Sequence, residues 1–217
     1  MRIDIFADPV CPWCYIGKKR LERAVAMRPE LDITTVWRPF QLNPDMPREG
    51  MDSETYFAAK FGGSSQMSER RMMVKQIGDS LGIDFRFDKI KHEPNTLDAH
   101  RLLRFALARG KGNEVAERLF RTHFTRAKDI GDRAVLVEIA AAVGIDPDEA
   151  RTFLDSGEAE DVVLAEEQEA RRIGINAVPC YIFERQYAVS GAQEPEFFLP
   201  VFDLVKNGGK PDQAGTG

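Results

Sequence analysis

Cysteine is scarce in this chain: three residues in 217, at Cys11, Cys14 and Cys180. So small and odd a number argues against a structural disulfide framework. Histidine is equally scarce, with His92, His100 and His123 scattered along the chain. A structural zinc site draws on four Cys or His ligands, and no second paired motif accompanies the first two cysteines. A surplus of positive charge is also missing. Thirty Lys and Arg stand against 35 Asp and Glu, for a net charge of −5. That leaves no basic footprint for nucleic acid. No apolar run approaches the roughly 20 residues of a membrane span, so no membrane partner is expected. The opening residues MRIDIFADPV contain neither an apolar signal core nor a small-residue cleavage site. A cytoplasmic protein is the expectation. Repeats and low-complexity segments are absent too.

What is present reads as an ordinary soluble globular chain, 43% hydrophobic and 30% charged. Its length suits one sizeable domain, or a domain carrying a large insertion. Residues 2–7, RIDIFA, put Ile3 and Ile5 on one face and Phe6 on the other, the alternation of a short strand. An amphipathic helical run follows from Pro12 to about Met27, and Pro29 stops it. Residues 31–38, LDITTVWR, are β-branched and aromatic, hence a second strand. Helical patterns then fill residues 52–172, several closed by glycine. CYIFERQYAVSG returns to two strand runs, and PEFFLPVFDLVKNGG is a last helix. The tail KPDQAGTG is expected to be disordered. The order is β-α-β, a helical block, then β-β-α. This predicts an α/β domain, residues 1–48 and 174–217, interrupted by an all-helical insertion, 49–173. The last inserted helix is expected to pack on the sheet, and the two strands on each side of the insertion must pair to complete it.

The chemistry centres on Cys11-Pro12-Trp13-Cys14. With Cys11 at the N-cap of the first helix, Pro12 falls at N1, where a missing N–H costs nothing. The Cys11 sulfur then faces free N–H groups and the positive end of the helix dipole, which favours thiolate. Cys14, one turn on, falls within the Cα separation of about 4.4–6.8 Å that a disulfide needs. Cys11 is therefore the expected nucleophile, and the more buried Cys14 the resolving thiol. Trp13 brings bulk but no cation, so a smaller depression of the Cys11 pKa is expected than a neighbouring histidine gives. A metal site and an inert buried pair are the competing readings. The two thiols carry the electrons, so no metal or other cofactor is required.

Val178-Pro179 precedes a strand, where a proline without an N–H is tolerated. Asp8-Pro9-Val10-Cys11-Pro12-Trp13-Cys14, Ala177-Val178-Pro179 and the helical insertion between them resemble the DsbA-like branch of the thioredoxin superfamily. They are most similar to its FrnE-type members. The resemblance extends through WRPFQLNP, NTLDAH and YAVSGAQ, along nearly the whole chain. It implies a thioredoxin-like fold and thiol–disulfide oxidoreductase activity. It also implies a cis Pro179 packed on the cysteine pair, and a Val178 backbone that pairs with an extended substrate. Implied partners are protein or low-molecular-weight thiols and disulfides, with glutathione as a co-substrate; a homodimer is open. Related 2-hydroxychromene-2-carboxylate isomerases and kappa-class glutathione transferases offer an alternative, glutathione-dependent isomerase or transferase chemistry. They usually carry a serine at the position of Cys11 and lack the second cysteine. A non-catalytic binding or chaperone module is a further alternative.

The chain departs from the wider pattern at Ile5, where thioredoxin and DsbA hold a buried acid six residues before the first cysteine. Asp4 and Asp8 flank it, and water is the other route for the Cys14 proton. Cys180 is either a small buried strand residue or close enough to the pair to form an alternative disulfide. Asn95 reads as an N-cap with Asp98 at N3, and His100 as a mid-helix residue. The resemblance places Asn95 and His100 near the substrate. Gln41 and Asn43 either line a thiol-ligand pocket or bond a turn.

Overall fold

The computed structural model describes residues 1–61 and 64–208. The expected disordered tail lies outside the described residues. Strand β1 (Arg2–Ala7) leads through a short turn into helix α1 (Pro12–Ala26), and the chain returns as β2 (Thr34–Pro39), parallel to β1. β2 starts three residues later than LDITTVWR predicts. The Leu31 N–H still closes a turn off the helix on Arg28 O at 3.0 Å, so those residues are not yet free to join a ladder.

The sheet has the order β2-β1-β5-β6, with β5 (Cys180–Phe183) antiparallel to β1 and to β6 (Tyr187–Ser190). The strands on the two sides of the insertion therefore do pair, directly, at β1 and β5. Register sets Ile5 beside both Trp37 and Tyr181, and Phe6 beside Cys180. Period-two alternation then divides the sheet. Ile3, Ile5, Trp37, Tyr181 and Phe183 face the main core, while Phe6 and Cys180 join Phe40, Ala170 and Ile175 on the other face.

Between β2 and β5 lie α2 (Ser53–Phe61), α3 (Ser64–Ser80), α4 (Leu97–Leu107), α5 (Gly112–Phe124), α6 (Arg133–Ala141), α7 (Pro147–Asp155) and α8 (Glu160–Arg172). Asp146 shows why α7 begins where it does: its carboxylate accepts from the N–H groups of Asp148 and Glu149, and Pro147 holds the first position. A two-residue ladder, β3 (Met51–Asp52) against β4 (His92–Glu93), is too short to leave a periodic signal. Helices α4, α5 and α8 each lie against β2. One core cluster runs from Ile3 in β1 through Ile16 in α1 to Leu154 in α7. The last helix, α9 (Pro195–Lys206), packs on α1 and buries Phe198 and Phe202 against Tyr181 and Phe183. Burial of each such ring stabilises the fold by about 1.5–3 kcal/mol.

Candidate active site

Cys11 is the N-cap of α1, with extended backbone (φ −90°, ψ 112°) and Pro12 at the first helical position. Its N–H donates to Asp8 O at 2.9 Å, and its carbonyl accepts from Cys14 at 3.0 Å and Tyr15 at 3.3 Å. The Cys11 side chain caps nothing. Its sulfur lies instead 3.8 Å from the carbonyl oxygen of Val178. The Val178–Pro179 peptide is cis. Both sulfurs are free thiols, with Cys11 4% and Cys14 1% exposed. Access is thus graded towards Cys11, though narrowly.

Burial pushes the Cys14 thiol well above the ordinary cysteine range, and the hydrogen bond and charge of Cys11 push the same way. The Asp8 backbone opposes this by hydrogen-bonding to Cys14. Tyr181 is fully buried behind the pair, and its hydroxyl finds no partner among the described residues. Burial, then the charges of Cys14 and Cys11, keep it far above the usual phenol range. Gly17 makes this packing feasible. A Cβ there would lie 2.2 Å from the Tyr181 hydroxyl and 3.0 Å from Pro179 Cγ. The missing side chain lets α1 lie directly on the start of β5.

The two acids flanking Ile5 separate cleanly. Asp4 points to the far face of the sheet and pairs with Arg2 at 2.9 Å and Arg38 at 2.7 Å. Burial pushes its carboxyl up, but those two cations bring it net below the usual range. Asp8 is fully buried on the cysteine side. Its Oδ2 accepts from Leu42 N at 2.7 Å, and its Oδ1 faces His100 Nε2 at 3.7 Å. His123, also buried, is pushed down to about 4 by desolvation, with Asp8 pulling weakly the other way.

The remaining candidates fall into two groups. Pro12, Trp13 and Asn43 line a cavity of about 220 Å³ beside the pair, closed by Tyr56 and Arg71 from α2 and α3. Asn43 Oδ1 accepts there from Tyr56 Oη at 2.7 Å and from Lys60. The others are set back in the protein. Gln41 is buried and reaches Thr96 Oγ1 at 3.4 Å. Asn95 donates to Met46 O at 2.6 Å and accepts from Leu97 N at 2.9 Å. The N-cap of α4 is Thr96, not Asn95, because the Asn95 side chain forms a local turn one residue earlier. Asp98 is therefore the second helical residue, and it pairs with Arg101 and Arg133 at 2.7 and 2.8 Å. His100 lies behind the cysteines, against Asp8. Cys180 sits opposite Tyr181 in the alternation of β5, in the cluster on the other face, so the sheet separates it from Cys14. Among the described residues no group of three metal-ligating side chains is assembled, and no helix is long and apolar enough to cross a membrane. The sequence reading missed Gly17, Tyr181 and His123. A glycine inside a helical pattern was the available signal for the first.

The comparisons with known proteins extend over the same elements. The DSBA-like thioredoxin domain family matches residues 2–202. The structure is similar to the probable DsbA oxidoreductase SCO1869 from Streptomyces coelicolor, with a TM-score of 0.87 and 31% identity over 100% of this chain and 93% of that one. The uncharacterized protein YwbO of Bacillus subtilis (strain 168) is 27% identical over 207 residues, 95% of this chain and 98% of its own. The fold is shared with the cytosolic disulfide reductase DsbM from Pseudomonas aeruginosa, solved with GSH: TM-score 0.66, 20% identity, 95% of this chain and 100% of that one. A cysteine pair at a helix N-terminus, a facing proline and a family match across both halves of the sheet lead to one conclusion: the chain belongs to the DSBA-like thioredoxin domain family and is a thiol–disulfide oxidoreductase.

Proposed function

We propose that Cys11 and Cys14 form a dithiol couple that exchanges with extended peptide or small-molecule disulfides in the cytoplasm. Cys11 attacks a substrate disulfide as thiolate, releasing one substrate thiol and forming a mixed disulfide. Cys14 then attacks the Cys11 sulfur, the second substrate thiol leaves, and the Cys11–Cys14 disulfide is formed. A second thiol, glutathione or a protein dithiol, returns the two electrons. Val178 and Pro179 form one wall of the substrate groove, and Pro12, Trp13 and Asn43 the other. Gln41, Asn95 and His100 support these walls from behind.

The observation that carries this reading is the Cys11 sulfur held at a helix N-terminus against the Val178 carbonyl. The Val178 carbonyl beside that sulfur can accept the N–H of an extended substrate. Glutathione as the electron partner is supported by the apolar cavity at Trp13 with its cationic Arg71, and by the GSH in the DsbM structure. The test is equilibrium of the protein with glutathione redox buffers. A single two-electron transition that vanishes in Cys11→Ser is expected. An absent transition in the unaltered protein refutes the reading.

A further inference from the structure

The dithiol reading requires Cys14, only 1% exposed, to lose its proton almost out of reach of bulk water, so it needs an acceptor within the protein. Two buried polar atoms in this structure have no hydrogen-bond partner among the described residues and face each other: Asp8 Oδ1 and His100 Nε2, 3.7 Å apart. Their side chains are each 1% exposed. That separation lies just beyond the hydrogen-bond range of about 2.7–3.2 Å. Buried polar atoms without partners are costly, so each calls for a physical explanation. The other lobe of Asp8 is fixed by the Leu42 N–H, so only Oδ1 can change partners. Asp8 O accepts the Cys11 N–H at 2.9 Å and Cys11 O accepts the Cys14 N–H at 3.0 Å, so this acid sits in the turn that carries both thiols, and its charge acts on the Cys14 thiol.

Every element around this spot bears on it. From α1 come Cys11 and Cys14, and from β5 comes Tyr181, whose buried hydroxyl feels both sulfurs. His100 reaches in from α4 and His123 from α5. Burial pushes His123 down to about 4, against the weaker pull of Asp8. Arg20 acts on Tyr181 and pairs with Glu194.

We infer that Asp8 is the proton acceptor for Cys14, and that His100 is a positioning residue that shares the proton across the gap. The assignment rests on the dithiol reading above. As Cys14 attacks the Cys11 sulfur of a mixed disulfide, its proton passes to Asp8 Oδ1 and on to His100 Nε2. The mixed S–S bond breaks, the Cys11–Cys14 bond forms, and the substrate leaves as thiolate. Reduction runs the same transfer backwards, and no further oxidant is needed.

The probe is the aromatic disulfide dithiobis(nitrobenzoate), mixed with the reduced protein in a stopped-flow instrument. Attack by Cys11 releases one coloured thiolate, and resolution by Cys14 releases the second. Asp8→Asn keeps the Leu42 hydrogen bond but accepts no proton. It is expected to slow the second release at least tenfold at pH 7 and make it rise tenfold per pH unit. His100→Gln is expected to slow it about threefold and to steepen the pH profile. A second release within twofold of the unaltered protein, in Asp8→Asn with an unchanged melting temperature, overturns the assignment. If Asp8→Asn does not fold, the unaltered protein decides through its own profile: flattening below pH 8 supports the buried acceptor, and a tenfold rise per unit across pH 6–9 overturns it. An unaltered protein that gives only one release refutes the dithiol reading, and this assignment with it.

Discussion

The sulfur of Cys11 and the carbonyl oxygen of Val178 lie 3.8 Å apart, across 167 positions of sequence. Neither residue makes the site alone. Helix α1 holds the sulfur at its N-terminus, and the loop before β5 brings the carbonyl that faces it. The proposed mechanism makes Cys14, 1% exposed against 4% for Cys11, the second thiol to react. Cys14→Ser is therefore expected to accumulate a covalent mixed disulfide at Cys11 with small disulfides. Cys11→Ser is expected to lose exchange down to background. Intact mass spectrometry under non-reducing conditions reads both, and a Cys14→Ser protein that stays unmodified contradicts the assigned order.

Cys14 itself gives a pH prediction. Burial is the largest influence that raises its pKa, and it acts whether or not Cys11 is present. A raised thiol pKa leaves the neutral form dominant at pH 8, so the reactive thiolate is a small minority. In Cys11→Ser, alkylation of Cys14 by iodoacetamide is expected to be at least about tenfold slower than that of an exposed cysteine of ordinary pKa near 8.5. The rate should still climb close to tenfold per pH unit between pH 8 and 9. A plateau in that window would show an unshifted thiol.

Much of this arrangement was legible beforehand, for identifiable reasons. Ile3 and Ile5 on one face and Phe6 on the other mark β1. Cys11 followed by Pro12 marks the start of α1. The pairing of β1 with β5 follows from strands left without partners on both sides of a helical block. Asp8 was not separable from Asp4 because it lies past the strand, in a loop whose course alternation does not set. Its neighbours His100 and His123 come from α4 and α5, so their convergence is a product of tertiary packing. The β3–β4 ladder was missed because two residues carry no period.

His123 should govern part of the acid stability. An unfolded histidine titrates near 6.5, whereas burial pushes this one down to about 4 in the fold. Between those values the unfolded chain binds more protons, so stability is full above pH 6.5 and falls as the pH drops towards 4. At about 1.4 kcal/mol per unit, the loss is on the order of 3 kcal/mol. His123→Phe keeps a ring against Phe124, which His123 meets edge-on with centroids 4.7 Å apart. Urea unfolding at pH 7 and pH 4 should show a smaller drop in this variant. An equal drop in both proteins excludes His123 as its source.

Gly17→Ala tests the packing of α1 on β5. A methyl group there falls 2.2 Å from the Tyr181 hydroxyl and 3.0 Å from Pro179 Cγ. Alanine favours a helix interior by about 1 kcal/mol over glycine. Overpacking a filled core costs about 1–3 kcal/mol, and here a rigid ring and a proline must give way. A net loss of up to roughly 2 kcal/mol is expected, with slower exchange because Pro179 is displaced from the pair. Tyr181→Phe removes the nearest atom, so the double variant should recover part of the loss. Full additivity of the two changes would argue against direct contact.

The insertion depends on Arg101, which is fully buried in α4. Its guanidinium donates to Glu158 O at 2.8 Å, Leu154 O at 3.0 Å and Phe153 O at 2.8 Å, and to Asp98 Oδ1 at 2.7 Å. Leu154 and Phe153 end α7, so their carbonyls have no partners within the helix. A single side chain therefore closes the C-terminus of α7, the turn after it and the start of α4. Arg101→Met fills a similar volume but takes the donor from the Leu154 carbonyl, leaves Phe153 O with Ser156 Oγ alone and Asp98 with Arg133. A loss of about 3–5 kcal/mol is expected, read as a lower urea midpoint at unchanged slope. Exchange per folded molecule should persist, because neither cysteine nor the Val178 edge touches Arg101. A midpoint that does not move would mean that water or neighbouring donors satisfy the carbonyls without it.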